Sequence, residues 1–327
     1  MPFVFQGITG LFLLALFAAS ASAPRTRTVQ FGYKSMVGKL PPSTRTIDVW
    51  IPIPHDSPYQ QITDLTISSP FPYQLDSAEY GNRLLHVKVN NPPDEGFAVD
   101  VQFRATRKEH RRPLTPVGLN ANHPADEPVD PRWLQSDRLV PIDPTIRRWA
   151  KAVVDSVGAT TDLEQARAIY NHVIATVKYD KTGTGWGRGD IYYACDARRG
   201  NCTDFHAIFI GYCRALGIPA RFAIGFSLPP DRLGGQLSGY HCWAEFYSKS
   251  LGWIPIDASE AAKNPSRRTY FFGAHDENRI EFSRGRDLML HPSQQQPLNY
   301  FVYPYAEADG IALTTVEQVI TYRDLNK

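Results

Sequence analysis

The periodicity of this chain changes once, and the change divides the fold into two kinds of structure. From Thr28 to about Arg112, apolar and polar residues alternate at period two in RTIDVWIPIP, LLHVKVN and FAVDVQFRATR, separated by turns bearing Pro, Asn and Gly. Such strands bury one face and wet the other, which predicts a small antiparallel sandwich. After RRPLTPVGLNANHPADEPVDPRW, a stretch rich in Pro, Asn and Asp, the spacing becomes helical. Asp143-Pro144 opens one helix toward Val157-Gly158. Thr161-Asp162-Leu163-Glu164 is a capping box at the head of another, with Ala166, Ile169, Tyr170, Val173 and Val177 on its core face. The expected fold class is α+β: a β-sandwich-like domain over 24–115, a linker over 116–142, and a second domain over 143–327 that ends in a β extension.

With 327 residues, 43% of them hydrophobic, the chain has material for two cores. Its 35 Lys and Arg against 33 Asp and Glu leave a charge of +2, too even for the basic face that nucleic acid or an anionic membrane requires. Neither is expected as a partner. Residues 1–23, MPFVFQGITGLFLLALFAASASA, hold a short apolar run ending in small residues. They read as a signal peptide cut after Ala21, with a retained N-terminal anchor as the alternative. Export places the chain in the periplasm or outside the cell, where thiols oxidise. Cys195, Cys202, Cys213 and Cys242 are too few for a disulfide scaffold, and no C-x-x-C pair occurs, so no metal site and no cofactor is expected. DKTGTGWGRGD, residues 180–190, alternates glycine as a phosphate loop would but lacks the Gly-Lys-Ser/Thr ending; it reads as a flexible loop.

The chemistry concentrates in two later segments. In GNCTDFHAIFIGYCRALGIP, Gly200-Asn201 is a turn plus N-cap, and Phe205, Ile208, Phe209, Tyr212 and Leu216 follow at helical spacing until Gly217-Ile218-Pro219. Cys202 falls in the first turn, where the helix dipole and free N–H groups favour thiolate and leave a donor for an oxyanion. Cys213 is expected to be buried filler. In GYHCWAEFYSKSLGWIPIDASE, two alternating segments flank Ser248-Lys249-Ser250. A hairpin centred on Lys249 sets His241 opposite Asp257, and stacks Ala244 and Phe246 with Ile254 and Ile256 on the other face. His206, one turn after Cys202 and displaced about 6 Å along the helix, reads as neither base nor metal ligand, and Asp204 and Glu245 read as local hydrogen-bond partners or dipole complements. A nucleophile, a base and an orienting carboxylate then stand in one place.

These residues also carry a resemblance. GNCTDFHAIFIGYCRALGIPARF, YHCWAEF and GWIPIDAS resemble, in order, the three blocks of the bacterial transglutaminase-like superfamily. YFFGAHDENRIEFSRGRDLML, LNYFVYPYAEADG and VWIPIP resemble one exported subgroup of it. The resemblance implies a papain-like core, a cysteine-bearing helix packed on an antiparallel sheet, with Cys202 as nucleophile, His241 as base and then acid, and Asp257 orienting the imidazole. It implies a cysteine-dependent amide-bond enzyme working through a thioester, hydrolysing peptide or isopeptide bonds of a peptide or protein substrate, which could belong to the cell envelope. Protein-glutamine acyl transfer, or a non-catalytic peptide- or glycan-binding module, are the alternatives. Papain-like arrangements usually draw a second oxyanion donor from a side chain upstream of the nucleophile. Trp186 is the favoured candidate here, with Tyr192 and Tyr193 as the others. If a disulfide forms at all, Cys195 and Cys242 are the expected pair.

Overall fold

The computed structural model describes residues 23–114 and 129–325. Residues 1–22 of the expected signal segment, residue 115 and residues 116–128 of the expected linker lie outside the described residues. Six strands, β1 (Thr26–Val37), β2 (Thr46–Ile53), β3 (Gln60–Ser68), β4 (Tyr73–Ser77), β5 (Arg83–Asn90) and β6 (Phe97–Lys108), build most of an antiparallel sandwich. In β1 the alternation is complete: Val29, Phe31 and Tyr33 are buried while their neighbours reach the surface.

The chain's end completes this sandwich. Strand Val316–Asp324 pairs with β1 along nine residues, from Val29 opposite Asp324 to Val37 opposite Val316, and Gly234–Leu237 extends the same sheet. Tyr305–Ala308 pairs with β2 in the other sheet, so each sheet has five strands. The β extension assigned to the second domain is thus a structural part of the first. No local pattern reveals this, because a strand's partner is chosen by tertiary packing. A buried ion pair fastens the arrangement: Arg27 Nε donates to Asp324 at 2.8 Å while its other nitrogens reach Asn278 and the Pro229 and Arg232 carbonyls.

Five helices follow: α1 (Pro144–Asp155), α2 (Asp162–Thr176), α3 (Ile191–Ala197), α4 (Cys202–Ala215) and α5 (Ala258–Lys263). Both expected caps form. Asp143 accepts from the Thr145 and Ile146 N–H groups, and Thr161 and Glu164 make the reciprocal capping box. The latter part of the expected linker is packed structure: Trp133 is buried, and Asp137 accepts from Arg214 of α4 at 2.8 Å. All of α4 is buried, so it is a core helix with no solvent face. It lies against an antiparallel sheet in the order Gly252–Ile256, His241–Ser248, Ala220–Ser227, Arg279–Arg284. The sandwich and this sheet share one core: Phe31 stacks on Phe103 at 5.1 Å and also meets Phe226 and Phe282 within 6 Å. No helix of the described residues is long and apolar enough to cross a membrane.

Candidate active site

Asn201 caps α4 as its residue type requires, accepting from Thr203 N–H at 2.9 Å, while the Asp204 carboxylate reaches back to Asn201 N–H at 2.9 Å. Cys202 is therefore the first helical residue. Asp204 does more than cap. Its two oxygens accept from Gly187 N–H at 2.7 Å and Gly189 N–H at 3.1 Å, deep in the protein. The glycine-alternating loop is thus an anchor for a carboxylate, and Gly183, Gly185, Gly187 and Gly189 all hold positive φ. Thr203 and Tyr240 both donate to the Gly187 carbonyl, and Asn201 Nδ2 donates to the Tyr240 hydroxyl at 2.9 Å. A β-carbon on Gly200 would come within 2.2 Å of the Asp204 carboxylate. The glycine keeps the turn and the anchor compatible.

The hairpin that carries His241 forms two residues away from the expected register. Ala244 faces Ile256, Phe246 faces Ile254 and Ser248 faces Gly252, which centres the turn on Ser250. Because the offset is two, every side chain keeps its face, and Ala244, Phe246, Ile254 and Ile256 still meet in the core. Asp257 is then not a ladder partner of His241. It leaves the strand as the N-cap of α5, and from there its Oδ2 meets His241 Nε2 at 2.7 Å. The pair survives the change of register because the offset preserved the face.

Asp257 is fully buried and held from four sides. Besides His241, it accepts from Arg279 at 3.1 Å, Ser259 Oγ at 3.0 Å and Glu260 N–H at 2.9 Å. Burial alone would raise its pKa, but the charge and hydrogen bond of His241 and the charge of Arg279 hold it well below the ordinary carboxylate range. His241 is driven the other way: burial favours its neutral form, yet Asp257 and the Cys202 sulfur lift it to about 10. The Cys202 thiol, which burial would push up, is brought well below its ordinary value by hydrogen bonds from Cys242 and His241 and by the charge of His241. With Nε2 on Asp257, Nδ1 is the ring nitrogen left for Cys202.

Arg279 and Cys242 were not found from the sequence as members of this site. His206 accepts from Ala258 N–H through Nε2 at 3.2 Å and lies 3.6 Å from Cys242 Sγ, tying α4 to the start of α5. Glu245 is bound to Arg221 and is not a partner of His241. Trp186 is not aimed at the thiol: its indole N–H donates to Gly183 in its own loop at 3.1 Å. Tyr192 is spent on Asp143, and the buried Tyr193 hydroxyl has no hydrogen-bond partner among the described residues. All four cysteines are free. Cys195 lies 3.5 Å from the Tyr212 hydroxyl, while Cys242 packs beside Cys202 and His206. A cleft of about 770 Å³ involves Cys195, Tyr192, Arg198 and Tyr212 but none of Cys202, His241 and Asp257.

Residues 150–258 match the model of the transglutaminase-like superfamily, a span that runs from α1 through Cys202 and His241 to just past Asp257. That span, a third of the chain, is where the chain is similar to the family. An uncharacterised protein of Haemophilus influenzae is 25% identical over 309 residues, with 83% of each chain covered. A candidate cysteine protease from Cytophaga hutchinsonii superposes with a TM-score of 0.59 at 16% identity, covering 94% of this chain and 92% of that one. The chain therefore shares that protein's fold over nearly its whole length.

Proposed function

We propose that the protein is an exported, cysteine-dependent enzyme that cleaves peptide or isopeptide bonds through a thioester. The observation that carries this reading is the buried line from Cys202 through His241 to Asp257, with the 2.7 Å His241–Asp257 bond at its end. In this scheme the Cys202 thiolate attacks the carbonyl carbon of an amide. The Cys202 N–H at the helix start faces the developing oxyanion. His241, protonated at the outset, gives its proton to the departing amine, and a thioester remains. Water then attacks, His241 takes its proton, and the acid leaves. Asp257 stays ionised throughout and holds the imidazolium in place.

Cys202 is only 1% exposed, so substrate reaches it by displacing what covers the helix end. The Gly187 loop and Tyr240, joined to each other and to Asn201, are the elements there to yield. The same thioester could pass its acyl group to a lysine-type amine, which is the acyltransferase reading. The protein should be incubated with cell-envelope proteins and peptidoglycan fragments, with and without added primary amine, and the products followed by mass spectrometry. Hydrolysed amide bonds support the proposal. Amine-containing adducts without hydrolysis would replace it by acyl transfer, and no covalent change with any substrate would leave a binding module.

A further inference from the structure

We infer that His110, Glu245 and His275 form a binding site for a divalent transition-metal cation, zinc before others, at the seam between the sandwich and the catalytic sheet. One potential ligand atom from each of the three lies within 4.8 Å of the others, and all three residues are buried. The partners of each ring set this cluster apart from a packed trio of polar residues. His275 Nε2 donates to the Ile256 carbonyl at 3.0 Å, which leaves Nδ1 as a lone-pair acceptor; that Nδ1 is buried without a hydrogen-bond partner. His110 Nδ1 is also buried with none, although Glu245 Oε1 stands 3.4 Å away. A buried nitrogen without a partner is costly, and a cation would supply one to His275 Nδ1 and a stronger one to His110 Nδ1, which otherwise faces only Glu245.

One pair already has the spacing of zinc ligands: two ligands about 2.0–2.1 Å from a tetrahedral centre stand roughly 3.3–3.4 Å apart, the separation seen between His110 and Glu245, and His275, within 4.8 Å of both, would close in on the bound ion. A histidine whose second nitrogen donates to a backbone carbonyl is the arrangement that orients metal-bound imidazoles. Glu245 keeps one oxygen for this purpose, since Arg221 takes the other. Of the other guanidinium groups nearby, Arg279 and Arg284 are paired with Asp276 and Glu281, and the buried Arg107 lies in the field of Glu281 as well as of Glu245.

The site would brace the active centre. His110 belongs to the short strand His110–Arg111 that follows β6, and it pairs across to His275. Glu245 lies on the strand that begins with His241, and the Ile256 carbonyl held by His275 immediately precedes Asp257. The test is metal analysis of the full chain purified without chelator. One zinc per chain is expected, lost in His110→Gln and His275→Gln. After exchange, cobalt(II) should show tetrahedral bands without a thiolate-to-cobalt transition. That absence separates this site from adventitious capture by Cys202 and Cys242. Zinc should raise the midpoint of thermal unfolding of the wild type, and a chelator should lower it. A wild-type protein that holds no zinc, takes none up on dialysis and melts unchanged would overturn the inference, even if the variants fail to fold. Thiolate-ligated cobalt, or zinc retained in both variants, would overturn it as well.

Discussion

At the scale of single residues, four side chains settle the charge state of one sulfur. Cys202→Ala should abolish turnover. Cys213→Ala, which removes a small buried group from the same helix, should cost of order 1 kcal/mol of stability and leave specific activity intact. Equal loss of activity in both, with folding preserved, would detach Cys202 from the chemistry. Asp257→Asn should fold and lose several orders of magnitude in rate, because an amide cannot stabilise the imidazolium. Its stability profile should change as well. The raised pKa of His241 stabilises the fold fully below 6.5 and is lost as pH rises through about 10, while the depressed Asp257 stabilises above 3.8 and is lost as pH falls. Wild type should therefore gain most over Asp257→Asn between those two lower values, and urea denaturation at several pH values would measure it. Cys202, His241 and Asp257 were legible in the sequence because each sits next to a local signal: a cap, an alternating strand, the end of a strand. Arg279 and Cys242 carry no such signal. Their roles come from burial against groups elsewhere in the chain.

At the scale of elements, the glycine-rich loop and the nucleophile's helix act as one unit through Asp204. Sequence reasoning separated the loop from phosphate binding by its missing Lys and Ser/Thr, yet could not see that its N–H groups face a carboxylate of the protein itself. Asp204→Ala should strand the Gly187 and Gly189 N–H groups in the interior and cost about 1–3 kcal/mol, measured by denaturant unfolding. Asp204→Asn, which keeps one acceptor oxygen, should lose less. The hairpin shows a different limit. Its turn sequence, SKSLG, allows centres on Lys249 or Ser250, and the apolar pattern is satisfied by both because a shift of two leaves the faces unchanged. Packing of Phe246 against Phe209 and Phe272 selects between them, and that information lies on other elements.

At the scale of the whole molecule, the α+β division was legible from the change in period, and the strand-by-strand closure of the sandwich was not. The first and last described strands pair in it. A chain ending before Tyr305 would lose strands from both sheets and leave β1 and β2 with exposed edges and an opened core. Such a truncation should fail to unfold cooperatively and should aggregate, as followed by circular dichroism and light scattering. The shared core of Phe31, Phe103, Phe226 and Phe282 makes the sandwich part of the catalytic sheet's support.

The central claim is that Cys202 is held as a thiolate by His241 and Asp257, and the ultraviolet absorbance of the thiolate measures it without requiring any reagent to reach a buried sulfur. The difference between wild type and Cys202→Ser, titrated downward in pH, should retain the thiolate band well below pH 9, the ordinary value for a thiol, and should lose it in His241→Ala. A band that appears only as pH rises through 9 or above in the wild type would contradict the account.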